Sequence, residues 1–176
     1  SVPMSILVIL LTSLVIGAVC GALNGFCIAK LNVPPFIATM AMMNVARGLA
    51  YVFTDAKPVF GLPESFGFIG LREIGIIPVS VILMVFIIFV SYIILTKTCY
   101  GRYVYAVGSN KEVAKLTGIN VDKIRFSVYV ISGILSALAG LVLASKLQNG
   151  QATAAVGYEL NAIAAVAMGG TSMSGG

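Results

Sequence analysis

SILVILLTSLVIGAVCGALNGFCIA, residues Ser5 to Ala29, holds neither a charged side chain nor a proline. A bilayer's hydrocarbon core is about 30 Å thick and a helix rises about 1.5 Å per residue, so about 20 apolar residues cross it. This run is long enough. Working outward, three more qualify: Pro35 to Phe53, which carries Arg47; Ile77 to Leu95, with Pro78 suited to a first helical turn; and Ser127 to Ala144. Leu160 to Met168 is apolar but too short to span alone. It reads as a re-entrant segment, or as the first part of a span broken at Gly169-Gly170. The expected fold class is all-α, a polytopic transmembrane bundle of four spanning helices plus a partial fifth segment.

Composition agrees. Of 176 residues, 59% are hydrophobic and 10% charged, with a mean hydropathy of +1.05. An ordinary globular domain is roughly 25% charged. A soluble domain of this size could not hide so much apolar surface. The chain opens at Ser1 with no basic stretch before the first apolar run, so it is not a signal peptide with a mature domain behind it. It stops at Gly175-Gly176 just past an apolar run. The expectation is a piece of a longer membrane protein.

The net charge is +5. Its distribution explains it better than a nucleic-acid partner does, because the basic residues cluster in one loop. Lys97 to Arg125 carries Lys97, Arg102, Lys111, Lys115, Lys123 and Arg125 against Glu112 and Asp122, which places residues 97–125 in the cytoplasm. Thr54 to Ile76 carries Lys57 and Arg72 against Asp55, Glu64 and Glu73, which places it outside. The short turn Lys30 to Pro34 falls inside, and Ser1 outside.

Small residues mark helix contacts. Gly17, Gly21 and Gly25 recur every four residues, as do Ser132, Ser136, Gly140 and Ala144. In lipid such stripes let backbones approach closely, and packing is their ordinary meaning.

Catalytic chemistry is poorly supplied. There is no histidine, no P-loop, and no metalloprotease, hydrolase or kinase signature. No catalytic residue, metal ligand or cofactor is assigned. Cys20, Cys27 and Cys99 are odd in number, show no CxxC spacing, and read as reduced packing residues. What remains is polarity at membrane depth, which is expensive and therefore a functional candidate. Asn24 sits between Gly21 and Gly25, suited to interhelical hydrogen bonding or to substrate contact. Thr39 and Asn44 lie five apart and point about 140° away from each other. Arg47 lies about 9 Å of helix rise from the outer end of its span, within reach of the interface by snorkelling, or else in the pathway. Glu159 and Asn161 introduce the last apolar stretch, where Glu159 suits a helix N-terminus or a pathway mouth.

Within the basic loop, Asn110 is a good N-cap for a short helix from Lys111 to Thr117 that ends at Gly118. That helix exposes Lys111, Glu112 and Lys115 and presents Val113, Ala114 and Leu116 as an apolar patch. It suits a membrane surface or a groove on a soluble partner.

The string GRYVYAVGSNKEVAKLTGINVDKIRFSVYVISGILSALAGLVLASKL, from Gly101 to Leu147, resembles the permease subunits of bacterial ABC importers for monosaccharides, the ribose type most closely. PPFIATMAMMNVARGLAYVFTDAKPV, from Pro34 to Val59, and GYELNAIAAVAMGGTSMSGG, from Gly157 to Gly176, resemble them too. The resemblance implies an inner-membrane protein that works as a pair and moves a sugar by alternating access. It implies a cytoplasmic ATP-binding subunit and a periplasmic sugar-binding protein as partners. It assigns coupling to the ATPase to Asn110, Lys111, Glu112, Ala114, Gly118 and Ile119. The translocation pathway is expected among Asn24, Thr39, Asn44, Arg47, Glu159 and Asn161. There are departures. The family reads ELDAIAA where Asn161 stands, and Ala152 and Ala155 replace a usual Pro and Gly. A different cargo for the same architecture is the main alternative: a furanone autoinducer, a nucleoside or a branched-chain amino acid. An ion-coupled carrier is a weaker one, because the spans offer only Arg47 as an ionisable group.

Overall fold

The computed structural model describes residues 2–60, 66–74 and 77–170. Ser1, Glu64, Ile76 and Gly175-Gly176 lie outside the described residues. Four helices are long and apolar enough to cross a membrane. These are α1 (Val2–Ala29), α2 (Pro35–Thr54), α4 (Val79–Lys97) and α7 (Val121–Leu147). The shorter helices are α3 (Gly67–Gly70), α5 (Cys99–Ser109), α6 (Lys111–Leu116) and α8 (Tyr158–Met168). Two-residue strands β1 (Glu73–Ile74) and β2 (Ile77–Pro78) pair antiparallel. The fold is an all-α membrane bundle, as expected. The spans bury little of themselves, and Val52 and Phe53 are 74% and 84% exposed, as lipid-facing side chains are.

Several boundaries move for local reasons. The third span begins at Val79, not Ile77, because Ile77 and Pro78 are extended and Pro78 serves as N-cap (ψ 140°). The fourth begins at Val121, six residues before its apolar run, because the Asn120 side chain accepts the Lys123 N–H at 3.1 Å and starts the helix early. It ends where Gln148 turns left-handed (φ 51°). The loop 97–125 is mostly helical, since α5 fills the stretch between Thr98 and Asn110. The last apolar stretch forms α8, about 16 Å long, or about half a bilayer.

The bundle's spine is an antiparallel pair, α1 against α7. A Cβ added at Gly17 would lie 2.5 Å from the Gly133 carbonyl oxygen, and one at Gly21 would overlap the Tyr129 carbonyl and lie 2.9 Å from the Val130 Cα. At the next turn, one at Gly25 would lie 3.0 Å from the Phe126 carbonyl oxygen. The stripe therefore brings the two backbones into direct contact. The stripe on α7 behaves differently. Gly140 has open space around it, and Gly133, outside that stripe, makes the contact.

This pairing sorts the connections to two ends. The α1–α2 turn, α5 and α6 gather at the start of α7, giving a basic end. At the other end, Ser145 is fully buried. Its hydroxyl donates to the Phe66 carbonyl (2.6 Å) and accepts the Gly70 N–H (2.8 Å). Val59 and Gly150 form an antiparallel bridge beside it. The loop after α2 is thus clamped to the last turn of α7.

Replacing Gly21 by Leu is expected to separate α1 from α7. Overpacking costs about 1–3 kcal/mol or more, which should lower the thermal midpoint in detergent by about 5 °C or more. Gly48→Leu, where a Cβ meets nothing within 4 Å, should leave it nearly unchanged. Equal midpoints for the two variants would refute the contact.

Candidate translocation groove and basic end

α1, α2 and α7 enclose a groove of about 660 Å³. Helical spacing builds each wall. Ser13, Cys20 and Asn24 come from α1, Thr39, Met42, Met43 and Ala46 from α2, and Tyr129, Ser132 and Ser136 from α7. The floor is the Gly17–Gly21–Gly133 contact. No charged side chain lines it.

Some of these polar groups are already occupied. The Ser13 hydroxyl donates to the Leu10 carbonyl, Thr39 to Pro35 and Ser136 to Ser132, all at 2.9 Å. Asn24 is different. It is half-buried, and among the described residues its amide has no hydrogen-bond partner in the protein. The hydroxyls of Tyr129 and Ser132 are likewise unpaired among the described residues. A half-buried amide and two hydroxyls with free capacity, set among methionines and glycines, suit a neutral ligand rich in hydroxyl groups.

Of the six pathway candidates, the structure brings Asn24 and Thr39 together in the groove. Asn44 is exposed, and its amide donates to the Met40 carbonyl of its own helix (3.0 Å). Arg47 is half-buried on α2 and does not line the groove. Glu159 accepts the Gly157 N–H at 3.0 Å in the first turn of α8, while Asn161 is exposed on that helix. Tyr129 and the two α7 serines are the groove residues that sequence reasoning missed. The serines were visible only as part of a small-residue stripe.

At the basic end, α6 is built as its sequence suggests. The Asn110 side chain accepts the N–H groups of Glu112 (2.9 Å) and Val113 (3.1 Å). Gly118 stands at φ +83°, and the Ile119 N–H returns to the Ala114 carbonyl at 3.1 Å. The apolar patch divides, however. Ala114 is buried at 3% exposure, whereas Val113 and Leu116 face outward at 54% and 87%. Lys111, Glu112, Lys115, Gly118 and Ile119 line a second groove of about 500 Å³, shared with Asn32 of the α1–α2 turn and with Asp122 and Arg125 of α7. One hydrogen bond and one close packing contact brace α5 between its neighbours. Tyr100 and Ser127 share a hydroxyl–hydroxyl bond of 2.8 Å, and Gly101 packs directly on the Leu95 carbonyl.

Among the described residues no cluster of acidic or cysteine side chains could hold a metal ion. No solved structure matches this chain significantly. Curated relatives do. The ribose import permease protein of Haemophilus influenzae is 43% identical over all of this chain and 56% of its own length. That of Bacillus subtilis is 46% identical over 87% of this chain and 48% of its own. The L-arabinose transport system permease protein of Escherichia coli is 40% identical over 87% of this chain and 47% of its own. The chain spans about half the length of the curated relatives it matches. Four apolar spans, an uncharged groove and a basic end thus accompany a family match that covers residues 1–176, and the chain belongs to the family described as branched-chain amino acid transport system / permease component.

Proposed function

We propose that this chain forms part of the translocation pathway of an ATP-driven importer for a ribose-type monosaccharide, working by alternating access. The observation that carries the reading is the uncharged groove with its unpaired Asn24, Tyr129 and Ser132, in a chain 43–46% identical to two ribose import permeases. A sugar is neutral and offers hydroxyls in several directions. It needs donors and acceptors along its path and no counter-ion. An amide supplies both, and Ser and Tyr hydroxyls adapt by rotation. The 40% identity to an L-arabinose permease favours pentoses as a class.

In this reading the chain carries out no covalent chemistry, and ATP is hydrolysed by a separate cytoplasmic subunit. The basic end faces the cytoplasm of the inner membrane, in accordance with the positive-inside rule. The ATP-binding subunit docks on α6, through Asn110, Lys111, Glu112, Ala114, Gly118 and Ile119 as a structural unit. Val113 and Leu116 are the apolar surface it would cover. A periplasmic sugar-binding protein delivers cargo to the opposite end, and a second permease copy completes the pathway in the lipid bilayer.

Three experiments test this. Asn24→Leu is expected to reduce labelled-ribose uptake about tenfold, since removing a hydrogen bond from a partly buried site costs about 1–1.5 kcal/mol. Asn44→Leu, off the groove, should change it less than about twofold. Equal effects would remove the groove from the pathway. Gly118→Val forces a β-branched residue to positive φ and should weaken recovery of the ATP-binding subunit while leaving membrane insertion intact, as should Glu112→Lys. Unchanged recovery and transport in both would count against α6 as the docking helix. Cys99 is exposed at the basic end. An impermeant maleimide should therefore label it in inside-out vesicles and spare it in right-side-out ones, and the reverse pattern would invert the topology.

A further inference from the structure

Nothing in the backbone or packing of this chain requires a glycine at Gly140. Glycine is the weakest helix former after proline, so a glycine inside a helix calls for a reason. Gly140 lies well within α7, away from the caps at Asn120 and Gln148. Among the described residues the glycines at positive φ are Gly118, Gly157 and Gly170, so no left-handed conformation requires it. It brings no neighbour close, because a Cβ added there meets nothing within 4 Å. Gly133 on the same helix is the opposite case, since a Cβ there would overlap the Gly17 carbonyl.

The open side of Gly140 faces the groove, whose lining it shares with Ser13, Ser136 and Ala144. The register of the helix pair gives its level. Gly25 meets Phe126, Gly21 meets Tyr129, and Gly17 meets Gly133 and Ala137. One more turn along each helix brings Ser13 level with Gly140. That level is about 12 Å of helix rise beyond Ser132, away from the basic end. A solute entering from the end opposite the basic one passes Gly140 before it reaches Ser132, Tyr129 and Asn24. The hydroxyls of Ser13 and Ser136 are bonded within their own helices, so this stretch offers room rather than recognition. Gly48 of α2 is equally open but does not line the groove, so openness alone is not the distinction.

We infer that Gly140 is a specificity-determining residue of the groove: the side chain it lacks sets the largest neutral solute that can pass to Asn24, Tyr129 and Ser132. The inference rests on the groove being the translocation pathway, and it places selection by size apart from selection by hydrogen bonding.

The test is a size series at this position in the full-length permease, expressed with its ATP-binding and sugar-binding proteins. Labelled-ribose uptake should stay within about twofold of the parent in Gly140→Ala and Gly140→Ser, fall in Gly140→Val, and drop about tenfold or more in Gly140→Leu. Gly48→Leu should leave it unchanged. Across the series the thermal midpoint in detergent should not fall by more than about 2 °C, and recovery of the ATP-binding subunit should stay constant. Equal uptake across the series, with uptake still reduced in Asn24→Leu, would overturn the size selection and leave the groove as pathway. Uptake insensitive to both Asn24→Leu and Gly140→Leu would overturn the pathway and the inference with it. A midpoint or subunit recovery that falls in step with uptake would assign Gly140 to a helix contact in the assembled permease and overturn the inference.

Discussion

The contact of α1 with α7 at Gly17, Gly21 and Gly133 is the constraint on which the rest depends. Between helices in lipid there is no hydrophobic force, because the acyl chains are as apolar as leucine. Helices associate where backbones come close enough for dispersion to act over many atoms. Only glycine permits the approach seen here, with added Cβ atoms at 2.5–2.6 Å from Gly133 and Ala137. The crossing places Asn24 and the α7 serines along one groove and sets which turns share an end. α2 joins through the turn after Ala29 and packs on α1, facing α7 across the groove with larger side chains, Met42 and Met43, on its wall. Close packing on one side of α1 and looser packing on the other is what leaves a groove.

The far end of α7 is held by a different interaction. Ser145 is a hydroxyl removed from solvent, and it survives there because both its donor and its acceptor capacity are used. Its partners lie 75 and 79 residues away in sequence. Gly70 matches it, since a Cβ there would come within 2.8 Å of the Ser145 hydroxyl oxygen. With the Val59–Gly150 bridge, this makes the end of α7 a fixed point for a loop that would otherwise depend on its own short strands.

The four spans were legible in the sequence because each is a long apolar run, and membrane depth demands such runs. The cap at Asn110 and the stop at Gly118 were legible because the backbone chemistry is local. The rest was less so. Helix α5 escaped notice because CYGRYVYAVGS mixes glycine, tyrosine and arginine, and its helicity comes from packing of Gly101 and Val107 against neighbours. Ser145 reads as one more small residue at the end of a span, since nothing local announces partners so far off. Asn24 could be recognised as a polar residue at membrane depth, yet whether it bonded another helix or stayed open depended on what α7 presents opposite it. That is a tertiary fact, and the stretch of α7 level with it, from Phe126 to Tyr129, gives the amide no hydrogen-bond partner among the described residues.

The two ends and the groove form one mechanical circuit in the proposed importer. α6 hangs between α5 and α7. α5 is braced on α4 by the Gly101–Leu95 packing and on α7 by the Tyr100–Ser127 bond. A push at α6 therefore reaches α7 by two routes, the short Thr117–Asn120 connection and α5. α7 cannot move without α1, because their backbones are in contact along three turns. Two of the groove's three walls thus respond as one body, and in the proposed importer the displacement would appear at α2, which has no such backbone contact along its length and is tied to the pair at its ends by the Lys30–Pro34 turn and the Val59–Gly150 bridge. Since Asn24, Tyr129 and Ser132 all belong to the rigid pair, their mutual geometry persists through the movement, and what changes is the cover that α2 provides. In the proposed importer, a neutral solute held by fixed donors and uncovered by a moving wall would be released without any group having to change its charge.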